Sequence, residues 1–293
     1  MRPETEPDVR PHAPRLRAPR LAFVAAAFIF LSAFGSGERL FAPSADLWDR
    51  WTAHDAASTA TVDHAAWDAY LAKHLVVSPN GPNRFRYAQA KADKGALDAY
   101  VAALAAQPVS KLARPEQMAY WINLYNALTV KTVLAHDPVD SIRDIDISPG
   151  LFADGPWDKK LIAVEGVELS LNDIEHRILR PIWKDGRVHY AVNCASIGCP
   201  DLQPKAFRAA SLDESLDAAA RAYVNDPRGV TVRRNDVVVS KIYDWFIRDF
   251  GGNEKGVMAH LKRFADPKLK AALDKVGELD EVQYDWSLND ARS

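Results

Sequence analysis

Apolar residues return at helical spacing from Val62 onward. Trp67, Tyr70, Leu71, Leu75 and Val76 fit one face of a helix, and Leu97, Tyr100, Val101 and Leu104 fit a second. Between them Ser78-Pro-Asn-Gly-Pro-Asn83 is a loop by its turn residues. Pro115 opens a third helix, with Glu116 and Gln117 in its first turn. That helix carries Met118, Trp121, Ile122, Tyr125, Leu128, Val130 and Val133. It is apolar almost all round, which predicts a central position.

The pattern changes after residue 160. Leu161-Ile-Ala-Val and Val167-Glu-Leu flank Glu165-Gly166 as a short β-hairpin. Ser170 then caps a helix, with Asp173 three residues on and Ile174, Ile178 and Leu179 on one face. Arg187-Val-His-Tyr-Ala-Val192 alternates as a strand, and Asn193 to Asp201 is a tight loop leaving it. Ser211 and Glu214 form a capping box for a helix through Val224. Val230-Thr-Val-Arg and Val237-Val-Val-Ser frame Asn235-Asp236 as a second hairpin. An aromatic helix holding Trp245, Phe246 and Phe250 ends at Gly251-Gly252; shorter helical pieces and a candidate strand, Val282-Gln-Tyr-Asp, follow. The expected fold is α+β, mostly helical with a small antiparallel sheet, as a single domain over 62–293.

The N-terminus reads as an address. Arg2, Arg10, Arg15, Arg17 and Arg20 precede an uncharged run from Leu21 to Phe34, and Gly35-Ser36-Gly37 follow. A basic flank, an apolar stretch and small residues are the layout of a secretory signal. The run falls short of the roughly 20 residues that span a bilayer. Residues 1–37 are therefore expected as a signal peptide or signal anchor, and 38–61 as a linker. The body is expected in the periplasm or cell envelope, secreted or anchored by residues 21–34. Membrane contact is expected only through that segment, if it stays uncleaved.

Composition narrows the chemistry. The 293 residues are 48% hydrophobic and 26% charged, ordinary for a globular protein, and ample for a core. A net charge of −2 gives no field for nucleic acid, and no P-loop, GxGxxG turn or base-stacking surface is present. No cofactor and no nucleic-acid partner is expected, and no other partner can be named. Two cysteines exclude a disulfide framework.

Four blocks carry a family resemblance. They are Ala119-Tyr-Trp-Ile-Asn-Leu-Tyr-Asn-Ala-Leu128, Leu169-Ser-Leu-Asn-Asp-Ile-Glu-His-Arg-Ile-Leu-Arg180, His189-Tyr-Ala-Val-Asn-Cys-Ala-Ser-Ile-Gly-Cys-Pro200 and Val239-Ser-Lys-Ile-Tyr-Asp-Trp-Phe246 with Asp249-Phe-Gly251. In that order they resemble domain-of-unknown-function family 547, an uncharacterised bacterial and plant family. The resemblance implies a shared fold and a shared set of polar positions, and names no reaction.

Those blocks hold the candidate site. Asn123 and Asn126 share a helix face, where they either lock loop backbone or bind a ligand. Glu175 and His176 diverge by about 100° on a helix and are not expected to pair. Cys194 is a candidate thiol nucleophile, which needs a base and a group to orient that base. His176 or His189 is the candidate base, with Asn126 or Glu175 as orienter and His260 as a further partner. These ingredients resemble papain-like and transglutaminase-like sites, without the motifs of those families around Cys194. Asn193, Arg180 and Lys241 are candidate binding residues, the cations favouring an anionic or carbonyl-bearing ligand. Cys194 and Cys199 are alternatively a disulfide, a small ring suited to pinning a loop. A metal site from His176, His189, Cys194 and Cys199 ranks last, because the spacing matches no zinc module. Two functions follow: a thiol-dependent hydrolase or acyltransferase, or a non-catalytic binding or scaffold module with a Cys194–Cys199 bridge. The enzyme requires a cleft with Cys194 in hydrogen-bond reach of a histidine. The module requires an exposed apolar patch.

Overall fold

Aromatic side chains draw the first elements together. The computed structural model describes residues 30–34, 42–150, 154–234 and 236–291. The segment expected as a signal lies outside these apart from 30–34, of which β1 (Phe30–Ala33) is an edge strand. A 3₁₀ turn at Asp49–Thr52 buries Trp51 edge-on to Trp121, with ring centroids 5.1 Å apart. α1 (Ala65–His74) leads into the ladder of β2 (Leu75–Val76) and β3 (Arg84–Phe85), which brackets the expected turn-rich loop. α2 (Tyr87–Ala90) and α3 (Lys94–Ala105) follow, and Tyr100 on α3 stacks on Trp67 at 5.8 Å.

α4 (Arg114–His136) is the axis of the molecule, as its apolar circumference predicts. Pro115 stands in its first turn, where the missing N–H costs nothing. Because the helix is buried on nearly every side, its polar residues look to the protein for partners, and all but the Thr129 hydroxyl find one. Glu116 accepts the Val62 amide at 2.7 Å, and Gln117 Nε2 donates to Ala53 O at 2.9 Å and Val109 O at 2.7 Å. Part of the stretch expected as a linker, 38–61, is thus stitched to the core through Trp51 and Ala53.

β4 (Ile162–Val164) and β5 (Val167–Leu169) form the expected hairpin. Glu165 at φ 46° and Gly166 at φ 78° supply the two positive φ values of its turn. Ser170 then caps its helix as expected: the Asp173 carboxylate accepts the Ser170 amide at 2.8 Å, and Ser170 Oγ accepts the Asp173 amide at 3.1 Å. The turns over Asp173–Leu179 are π-helical, and α5 (Arg180–Trp183) continues them. This widening was not foreseen. It leaves Glu175, His176, Ile178 and Leu179 all buried.

α6 (Val188–Ala191) replaces the strand expected at 187–192. Asp185 binds both the Arg187 amide (2.9 Å) and its guanidinium, coiling the backbone at that point. Val188, His189, Tyr190 and Ala191 are all buried, so their alternation carried no information about faces. α7 (Leu212–Val224) follows a 3₁₀ turn at Ala209–Ser211, and Ser211 makes no capping hydrogen bond, so the expected capping box is not formed.

β6 (Val230–Arg233) pairs antiparallel with β7 (Asp236–Ser240). Arg233 faces Asp236 and Arg234 takes φ 56°, so Asp236 belongs to the strand, not to the turn. Ser240 caps α8 (Lys241–Trp245), and a 3₁₀ turn at Ile247–Phe250 ends on Gly251. α9 (Glu254–Phe264) and α10 (Pro267–Leu273) lead to β8 (Glu281–Tyr284). The main sheet has the order β1-β8-β7-β6. It is mixed, not antiparallel as expected, because β8 lies parallel to β7. The return through α8 to α10 is the crossover that a parallel pair requires. The fold is α+β, mostly helical with small sheets. One apolar core surrounds α4 and a second lies between α7, α9 and the main sheet; Trp286 packs against both. Among the described residues no helix is long and apolar enough to cross a membrane.

Trp51→Ala is expected to cost about 3–5 kcal/mol, the range for truncating a buried tryptophan. Urea unfolding of the variant checks this; a cost near zero would mean that residues 42–61 do not belong to the cooperative core.

Candidate functional site

The cysteine loop hangs from α4 by one side-chain amide. Asn126 Nδ2 donates to Ala191 O at 2.9 Å, and Asn126 Oδ1 accepts the Asn193 amide at 2.8 Å. Asn193 in turn donates to Pro200 O at 2.7 Å and accepts the Ala195 amide at 2.9 Å. It thereby closes the loop across its base, and Ala195 is left in the left-handed region at φ 61°. The far side of the loop is held as firmly. Tyr223 Oη donates to Gly198 O at 2.6 Å, and Arg228 Nη1 donates to the Ile197 and Cys199 carbonyls at 3.1 Å each. The Ile197 and Gly198 amides donate to Ser287 O and Asp285 O, both at 2.8 Å. Only glycine fits at 198, where a Cβ would lie 2.6 Å from Asp285 N.

This scaffold rings the Cys194 sulfur with polar hydrogens. Tyr284 Oη lies 3.1 Å and Ser196 Oγ 3.3 Å from it, and the two hydroxyls lie 3.1 Å apart. Cys199 and the Ser196 backbone also bear on it, and the Cys199 thiol lies 3.8 Å from Val192 O. The hydrogen bond from Cys199, then those from Ser196 and Tyr284, outweigh burial and bring the Cys194 thiol down to about 7. Cys199 goes the other way: burial, reinforced by Cys194, pushes it well above the ordinary thiol value. Both cysteines are free thiols, and Cys199 Sγ accepts the Cys194 amide at 3.0 Å.

An ionic cluster forms the facing wall. His189 Nε2 lies 2.7 Å from Asp249 Oδ2, and its Nδ1 lies 3.6 Å from Glu175 Oε1. The same Asp249 oxygen accepts Arg180 Nε at 2.6 Å. Phe246 lies against three of these groups: His189 stacks on it at 4.3 Å, Arg180 sits over it at 4.5 Å, and His176 tilts toward it at 5.7 Å. Burial opposes charge on Glu175 and on Asp249. The two histidines and Arg180 around Glu175, and His189 and Arg180 around Asp249, overcome it and hold both carboxyls at about 2. Burial, with Arg180 beside it, lowers His176 to about 4, so its ring is neutral at pH 7. Arg180 Nη1 donates to His176 Nδ1 at 2.9 Å. Guanidinium cannot accept a hydrogen bond, so the His176 proton sits on Nε2.

Between the walls lies a cleft of about 640 Å³. Cys194, Cys199, Glu175, His176, His189 and Lys241 all line it, with Trp157, Trp245, Phe246, Tyr284 and Trp286 as aromatic surface. Asn172 and Asp158 stand at its margin, 2.7 Å apart.

Residues 109–224, which carry α4, the Glu175–His176 helix and the cysteine loop, match the family model described as "Protein of unknown function, DUF547". Over this segment the chain is similar to that family. No curated protein and no solved structure matches the chain.

The sequence candidates divide. Cys194, Glu175, His176 and His189 all line one cleft. Their pairings differ from those expected. His189 is committed to Asp249 and Glu175, and His260 to Tyr190 at 2.9 Å; among the described residues no histidine hydrogen-bonds Cys194. Asn126 and Asn193 are buried with their amides turned to backbone, and so is Asn123, which bridges the amide and carbonyl of Phe207 at 3.0 and 2.8 Å. Arg180 holds Asp249, His176 and the Pro43 carbonyl, while Lys241 is buried at the cleft wall. Among the described residues no group of three or more His, Cys, Asp or Glu side chains is arranged to hold a metal ion. Tyr284, Ser196, Tyr223 and Arg228 were missed. Tyr284 and Arg228 lie beyond the family segment, and only the strand signal around residue 282 hinted at the first.

Acid should loosen this arrangement. Burial lowers His64, His176 and His260 to about 4 in the folded chain, against about 6.5 when unfolded. The unfolded chain therefore binds more protons between those values, and stability falls as pH drops through that window. The Glu175 and Asp249 contributions are complete above their unfolded values near pH 4 and are lost on the way to about 2. Urea midpoints measured from neutral pH downward should decline from about pH 6.5. A flat profile to pH 4 contradicts the burial of the three neutral histidines.

Proposed function

We propose that this chain is an exported envelope protein acting as a thiol-dependent hydrolase or acyltransferase, with Cys194 as its nucleophile. The observation that carries the reading is the ring of donors around the Cys194 sulfur at the wall of the cleft. A thiol brought down to about 7 is substantially thiolate at neutral pH, without a histidine to take its proton. The thiolate attacks an acyl carbon, the bond to the leaving group breaks, and a thioester forms on Cys194. Water or a second acceptor then takes the acyl group and returns the thiolate.

The histidines take other parts than the base expected from sequence. His176 Nε2–H has no hydrogen-bond partner among the described residues and supplies a neutral donor for the oxyanion that develops on the acyl oxygen. His189 is a positioning residue, fixing the Phe246 wall through Asp249 and Glu175. The rival reading as a non-catalytic module asks for an apolar docking patch. Among the described residues the exposed large apolar side chains are Leu47 and Val77.

Iodoacetamide labelling of Cys194 should follow a titration near pH 7, against about 8.5 for an ordinary thiol. Tyr284→Phe should move that midpoint upward while keeping the ring in place. Cys194→Ala should abolish turnover of any ester or thioester that the wild-type chain cleaves from a test panel, with an unchanged melting temperature. Retained turnover in Cys194→Ala would sink the nucleophile assignment.

Export rests on the basic and apolar pattern of residues 1–37. A reporter fused after Gly37 should be active outside the cytoplasm; retention inside removes this part of the proposal.

A further inference from the structure

Cys199 does more than its burial requires. Most buried cysteines behave as small apolar residues, yet this one accepts the Cys194 amide at 3.0 Å, with its own thiol 3.8 Å from Val192 O. The loop between the two thiols is tied down on both sides. Arg228 and Tyr223 hold the carbonyls of Ile197, Gly198 and Cys199, and Ser287 O and Asp285 O hold the amides of Ile197 and Gly198. A partly exposed thiol at a cleft with a buried second thiol beside its backbone is the arrangement that resolves an oxidised cysteine before it is lost.

We propose that Cys194 and Cys199 form a redox couple that reduces hydroperoxides, with Cys199 as the resolving thiol. The Cys194 thiolate attacks the distal oxygen of the peroxide and the O–O bond breaks. The alkoxide leaves, taking a proton from water, and Cys194 becomes a sulfenic acid. The Cys199 sulfur then attacks the Cys194 sulfur, its proton leaves with the hydroxide as water, and the S–S bond closes. Two electrons from the thiol pair have reduced the peroxide to an alcohol and water. A dithiol reductant resets the couple by exchange.

The order of the two cysteines follows from their surroundings. Both cysteines line the cleft, but Cys194 is partly exposed and carries the stabilised anion, whereas Cys199 is buried and protonated at rest. Oxidation of Cys194 removes the negative charge that adds to burial in keeping Cys199 protonated, which eases its deprotonation at the step that needs it. The small ring contributes little to stability. The bridge therefore closes and opens without taxing the fold. The inference rests on Cys194 as the nucleophile proposed above, and not on its acyl chemistry.

The test is intact mass and thiol titration of the full chain treated with hydrogen peroxide. The wild-type protein should lose the mass of two hydrogens and both titratable thiols, map to a Cys194–Cys199 bridge by peptide mass, and recover fully with dithiothreitol. Cys199→Ser, which keeps a donor of similar size, should give a sulfenic acid trapped by dimedone and then the irreversible sulfinic acid. Cys194→Ser should leave Cys199 reduced. Direct conversion of wild-type Cys194 to sulfinic acid, or a Cys199→Ser protein that oxidises no further than wild type, overturns the couple. If Cys194 alkylates readily but the bridge never forms, the couple alone falls. If it reacts with neither iodoacetamide nor peroxide, the nucleophile assignment falls with it.

Discussion

A helix buried on nearly every side can leave few polar groups to water, and this requirement organises the whole molecule. α4 carries Asn123 and Asn126 into the core, and each amide has to find both a donor and an acceptor there. Each finds them in the backbone of a distant segment: Phe207 for one, Ala191 and Asn193 for the other. An asparagine bonded in this way acts like a rung of sheet between a helix and a loop. Leaving either group unmatched costs about 1–3 kcal/mol. Register is therefore enforced at the residue that precedes Cys194.

The two walls of the cleft solve the same problem by different electrostatics. On one side charge is buried, and it is tolerated because Arg180, Asp249, His189 and Glu175 satisfy one another around the Phe246 ring. Removing a single partner from such a cluster is costly, since the remaining charge stays desolvated. On the other side the anion is held by neutral donors, from Tyr284, Ser196 and Cys199. Neutral donors favour the thiolate without forming an ion pair that a reaction would have to break. The ionic wall is held by charge, and the neutral wall by hydroxyl and thiol groups.

Much of the fold could be read where local chemistry and burial agree. The hairpin at Glu165-Gly166 has a turn that asks for positive φ and flanks that alternate, and the Ser170–Asp173 cap reappears as drawn. Reading failed where burial was total. Residues 188–191 are inside on every face, so period carried no signal and Asp185 decided the conformation. The parallel pairing of β7 with β8 was equally hidden, because partner and direction depend on a crossover of some forty residues and not on either strand's pattern. At the site, residue types were legible and pairings were not. Cysteine, histidine and glutamate announce chemistry, but His189 sits on a helical turn that aims it at Asp249 and away from Cys194.

The closing segment of the chain adds a matter of timing. Ninety positions separate Cys194 from the Tyr284 hydroxyl that touches its sulfur, and the amides of Ile197 and Gly198 wait for carbonyls at 287 and 285. Contacts this distant in sequence form late, after the loop entropy between them has been overcome. While the chain is being synthesised, Cys194 is an ordinary cysteine with an ordinary thiol. It becomes an activated one only when strand β8 docks beside β7. A thiol whose surroundings are assembled last keeps ordinary chemistry for as long as the chain is unfolded.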